Sequence, residues 1–230
     1  MIAISGHERR ERLRAALRVL LGGLVFAAAV MCGTAGLYLA AGIPVAHLLK
    51  DPGALRPGPW YLGAVSYVGI LLWCAAATVC LFTRGLLREP GHAELRRFLL
   101  GSALLSALLG LDDLFMLHDQ VAPDYFGVSE KVIVLAYGAA ALGYVVRFRE
   151  MVERSPYFLL LVAGGFFALS VGVDAMDLDD GRILMVEDGA KLAGITAWLS
   201  YFAQCSADAI REGLAAVPRV EPQETAYSAQ

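Results

Sequence analysis

The chain has 230 residues, 58% of them hydrophobic and only 18% charged, with a mean hydropathy of +0.60. That is too apolar for an ordinary soluble domain and long enough for several bilayer spans, so the composition predicts a polytopic membrane protein. A formal net charge of -3 offers no basic surface to nucleic acid, and no nucleic-acid-binding motif is present, which excludes that class.

In chain order, residues 1–18 form a basic N-terminus carrying Arg9, Arg10, Arg12, Arg14 and Arg18. The apolar run that follows, about 19–42, exceeds the hydrophobic region of a signal peptide and predicts a full span. Further apolar segments at about 60–83, 98–117, 130–147, 157–174 and 187–207 bring the prediction to six helices. The fold class is therefore all-α, a six-helix transmembrane bundle over 19–212, with a polar, disordered tail at 213–230. Pro44, Pro52, Pro57 and Pro59 punctuate the first connection, and Pro90, Pro123 and Pro156 mark later ones. Cys32, Cys74, Cys80 and Cys205 all lie in apolar segments, where cysteine is a small packing residue rather than part of a disulfide or metal framework.

Arginines at 9–18, at 84, 88, 96 and 97, at 147, 149 and 154, and at 211 fall on one side of this arrangement. The positive-inside rule makes that side cytoplasmic, with both termini there, and predicts a cell inner (plasma) membrane protein. Trp60, Tyr61, Tyr125 and Tyr157 fall at predicted boundaries, as interfacial aromatics do.

The opposite side receives half of the chain's 22 acidic residues in two turns. One holds Asp112, Asp113, Asp119, Asp124 and Glu130; the other holds Asp174, Asp177, Asp179, Asp180, Glu187 and Asp188. The spans that carry them are short. Only Phe98 to Leu111, Val132 to Val146 and Leu192 to Ala207 are free of charge, about 14 to 16 residues each, where a span needs roughly 20. Acidic ends must therefore enter the apolar slab, where an Asp costs about 2.5–3.5 kcal/mol at the centre and less toward the interface, and faces protein or water.

The acidic hairpins, about 94–150 and 156–212, read as a parallel repeat. Asp112 aligns with Asp174 and Gly110 with Gly172; Glu130 aligns with Glu187 and Tyr144 with Tyr201, the second turn being five residues shorter. An axis along the membrane normal would bring Asp112, Glu130, Asp174 and Glu187 together. Four like charges at low dielectric call for protons, a pairing cation or a bound metal ion.

The metal-ligand candidates are Asp112, Asp113, His118, Asp119, Glu130, Asp174, Asp177 and Glu187. Hard oxygen donors favour Ca, Mg or Mn, and one histidine admits Zn or Fe. On a straight helix His118 does not share the face of Asp112, so it joins the site only if the helix unwinds before it. Glu187 and Lys191, spaced i, i+4 in the favourable order, predict an intrahelical ion pair. DLDDG at Asp177 to Gly181 misses the calcium-loop spacing by one residue, and no hydrolase, P-loop or dinucleotide motif is present.

These readings predict an outer-leaflet carboxylate cluster that binds a divalent cation or protons for ion transport or conductance. A membrane-embedded metal-dependent enzyme acting on a lipid is the second reading, with no catalytic residue assigned. The third is an accessory subunit whose acidic face docks a periplasmic partner. The partners implied are the bilayer, a cation, and a second copy of the chain or a periplasmic protein.

Overall fold

The computed structural model describes residues 31–44, 61–87, 90–176 and 181–215, with single residues between 14 and 29 and between 47 and 59. The chain divides into two compact units, Met1–Leu62 and Gly63–Gln230. In the first, the described helix is α1, Met31–Ala41, a short apolar element ended by Gly42 at φ 65°. The basic N-terminus, the start of the first predicted span and the tail beyond residue 215 lie outside the described residues, apart from isolated positions.

The second unit is all helix among its described residues: α2 Ala64–Leu86, α3 Ala93–Phe115, α4 Ala122–Phe126, α5 Glu130–Arg147, α6 Arg149–Glu153, α7 Phe158–Asp174 and α8 Gly181–Ala215. At 1.5 Å per residue the 23-residue α2 and α3 are each about 34 Å long, enough for a bilayer core of about 30 Å. They are the two described helices both long and apolar enough to cross a membrane; α1 and α7 are apolar but shorter.

Local chemistry explains the boundaries. A 3₁₀ turn at Pro90–His92 leads into α3, suited to proline's fixed φ and missing donor. α3 stops at Phe115 because Met116 turns left-handed, at φ 50°, and its N–H closes onto the Asp112 carbonyl. That is a cap position glycine usually fills, and holding a methionine there costs about 1 kcal/mol. The chain then makes a π-helical turn, Leu117–Val121, before α4, which carries Pro123 in its first turn and ends at Gly127.

α2 is the centre of the unit, packed on α3 and on α8, while α8 also packs along α7. The core between them is Trp73, Ala76 and Cys80 of α2, Phe98, Leu99 and Ala103 of α3, and Ile195, Trp198, Tyr201 and Phe202 of α8. Gly110 lets α3 approach α2, since a Cβ there would lie 2.9 Å from that of Trp73. Gly194 plays the same part between α8 and α7, where a Cβ would meet the Phe167 ring at 2.8 Å. α5 is different: it has no buried residue and touches α3 only lightly.

Candidate functional site

A cavity of about 260 Å³ occupies the space that α5 leaves open. Five helices line it, each with one face. α5 contributes Glu130, Val134, Tyr137, Gly138 and Ala141, which recur at helical spacing; α7 contributes Phe167, Ser170, Val171 and Asp174 in the same manner. Glu187, Lys191 and Trp198 come from α8, Leu109, Asp112 and Asp113 from α3, Trp73 from α2, and His118 from the π turn.

Of the eight groups that the sequence marks as metal ligands, Asp112, Asp113, His118, Glu130, Asp174 and Glu187 line this one cavity. Asp119 does not; it is exposed on the π turn. Asp177 lies outside the described residues. Among the described residues, no three His, Cys, Asp or Glu side chains are grouped closely enough to hold a metal ion.

Asp112, only 3% exposed, is fully engaged by protein. One oxygen, Oδ1, accepts the backbone N–H of His118 at 3.0 Å and the Tyr137 hydroxyl at 2.8 Å. The other, Oδ2, pairs with Nδ1 of the His118 ring. The left-handed Met116 makes this possible: it reverses the chain after α3, so that residues six apart meet, which a continuous helix forbids. The unwinding that His118 requires is therefore present. Asp112 is a clamp on His118 rather than an open ligand. The hydrogen bond that the His118 ring donates to that carboxylate raises the His118 pKa above its ordinary 6.5, against the opposing effect of partial burial.

Asp113 is occupied as well. Its Oδ1 accepts Lys191 Nζ at 2.6 Å and its Oδ2 accepts the Trp73 indole N–H at 3.0 Å. This corrects the expected Glu187–Lys191 pair, because the lysine spans from α8 to α3 instead of reaching back one turn. Asp113 is sunk between helices, where a charge needs a partner, whereas Glu187 is less enclosed and has less to gain. Glu130, Asp174 and Glu187 are left without an ion-pair partner among the described residues.

Sequence reasoning missed Tyr137, Trp73, Trp198 and Ser170. A signal existed for three of them: a tyrosine or tryptophan in mid-helix needs a partner for its O–H or N–H. Tyr137 and Trp73 find theirs in the two aspartates, and Trp198 donates to Ser106 Oγ at 2.9 Å.

Fold and site together define an all-helical protein with an acid-rimmed, aromatic-floored cavity and two helices fit to cross a membrane. The chain belongs to the family described as a domain of unknown function (DUF8692), whose pattern matches residues 7–205. No curated protein and no solved structure matches it.

Proposed function

We propose that this chain is a six-span membrane protein, both termini cytoplasmic, that binds an exchangeable cation at its outer-leaflet cavity as part of transport or conductance. The observation that carries the reading is the convergence of Asp112 and Asp113 of α3, His118 of the π turn, Glu130 of α5, Asp174 of α7 and Glu187 of α8 on one cavity. Once Asp112 is matched by His118 and Asp113 by Lys191, three carboxylates still line the cavity without an ion-pair partner among the described residues. They surround the space without crowding a single point, which suits a weakly held, mobile ion better than a chelated one. Large apolar side chains exposed on α2, α3, α5 and α7, such as Leu71, Leu104, Leu135 and Leu161, support a lipid-facing exterior.

The test is cation flux and binding in proteoliposomes for Glu130→Gln, Asp174→Asn, Glu187→Gln and the triple variant. Loss of both in the triple variant is the expected result; wild-type flux and binding in all four would remove the reading.

One observation favours the second reading, a metal-dependent enzyme acting on a lipid. His118 has its Nδ1 held by a buried carboxylate, the support that metal-binding and general-base histidines share, and keeps Nε2 for other chemistry. Stoichiometric, chelator-resistant zinc or iron in purified protein, lost in His118→Ala, selects this reading over transport.

A further inference from the structure

We infer that the cavity accepts an amphiphilic organic cation, an amine or quaternary ammonium with an apolar body, entering sideways between α5 and α7. The inference rests on the cation-binding reading and specifies the cation.

The carboxylates without an ion-pair partner among the described residues, Glu130, Asp174 and Glu187, stand at one end of the lining that α5, α7 and α8 each contribute. From Glu130 to Ala141 on α5, and from Glu187 to Trp198 on α8, the lining runs eleven residues, about 16 Å along each helix. A bare ion is satisfied at the rim and has no use for that depth. Below the rim the wall is Val134, Ala141, Phe167, Val171 and Trp198, which an ion's hydration shell does not favour and an apolar body does. The volume, about 260 Å³, corresponds to some nine waters at about 30 Å³ each, more than a single hydrated ion needs to bridge the acids.

Two features mark the wall as a built surface. Ser170, 7% exposed as a residue, lines the cavity and makes no hydrogen bond among the described residues, so its hydroxyl is a polar point open to a ligand on an otherwise apolar wall. Trp73 stacks on Phe167 with ring centroids 5.9 Å apart, and both cavity indoles are nearly buried with their N–H engaged elsewhere, so the wall at that depth is a fixed aromatic surface, which suits an apolar body or a poorly hydrated ammonium. Access follows from packing: α5 and α7 flank the cavity without packing closely on each other.

The experiment titrates the full-length protein in nonionic detergent with dodecyltrimethylammonium, tetramethylammonium, dodecanol and calcium chloride. Tryptophan fluorescence is the readout, since two of the three tryptophans line the cavity. Dodecyltrimethylammonium is expected to give a saturable change at a concentration at least about tenfold below that for tetramethylammonium, with dodecanol inactive. Glu130→Gln with Glu187→Gln, and separately Ser170→Leu, should each weaken it about tenfold or more. Leu135→Ala, on the exposed side of α5, should leave it unchanged and controls for folding.

Equal response to dodecanol, or to tetramethylammonium, overturns the inference. A saturable calcium response with no effect of either ammonium overturns it while leaving the cation reading intact; silence from all four probes removes both. Repeating the titration in nanodiscs with and without phosphatidylethanolamine distinguishes sources. Competition by the amine-headed lipid identifies a membrane ligand, and its absence a free amphiphile.

Discussion

The two acidic hairpins align in sequence yet are built differently. In the second, α7 and α8 pack closely on each other, and Gly194 lets the Phe167 ring sit where a side chain would otherwise stand. In the first, the residue aligned with Gly194 is Tyr137, whose bulk stands between α3 and α5 and whose hydroxyl ends on Asp112. The aspartates differ in the same way: Asp112 is buried and held by three donors, while Asp174 is exposed. One small residue closes a hairpin and one large polar residue opens it, and the cavity is the difference between them.

The comparison breaks most readily at Gly194. Gly194→Leu forces Phe167 out of its stack on Trp73 and should cost about 1–3 kcal/mol by overpacking, seen as a lower thermal unfolding temperature in detergent. Gly172→Leu, with open space around its Cα, should leave that temperature nearly unchanged. Next comes Asp112→Asn, which keeps the shape and removes the charge that His118 pairs with. A loss of about 2 kcal/mol is expected, in the range for hydrogen bonds to charged groups.

The pH dependence sharpens the same point. Because Asp112 raises the His118 pKa, their pairing stabilises the fold fully below about 6.5 and is lost as pH climbs through the raised value. Unfolding temperature measured from pH 5.5 to 9 should fall across that window in the wild type and stay flat in Asp112→Asn. A step that persists in the variant would assign the titration to another group. The smallest effect belongs to Tyr137→Phe, about 1 kcal/mol for one hydroxyl on a carboxylate inside a helical bundle. If the opening of the first hairpin depends on the ring and not the hydroxyl, the variant keeps its cavity, while Tyr137→Gly should let α5 settle toward α3.

How much of this was legible in advance follows physical lines. Apolar length located α2, α3, α5 and α7 to within a few residues, because hydrophobic runs report on helices directly. The acids that the short runs and the hairpin alignment singled out, Asp112, Glu130, Asp174 and Glu187, line one cavity. The Asp112–His118 contact was hidden because it depends on a left-handed methionine, and no residue type at 116 announces one. Lys191 misled for a related reason. An i, i+4 partner is visible in any sequence, whereas Asp113 lies 78 residues away and becomes the better partner only when the helices meet.

α5 is fastened to α3 by two phenols, Tyr137 on Asp112 and Tyr144 on Ser102 at 2.5 Å, two turns apart on one face. A slat hung from two pegs keeps its register while the side away from the pegs is free to vary. Drift among relatives should therefore concentrate at Leu135, Leu142 and their exposed neighbours, and positions 137 and 144 should resist exchange even where Glu130, Asp174 and Glu187 have been lost.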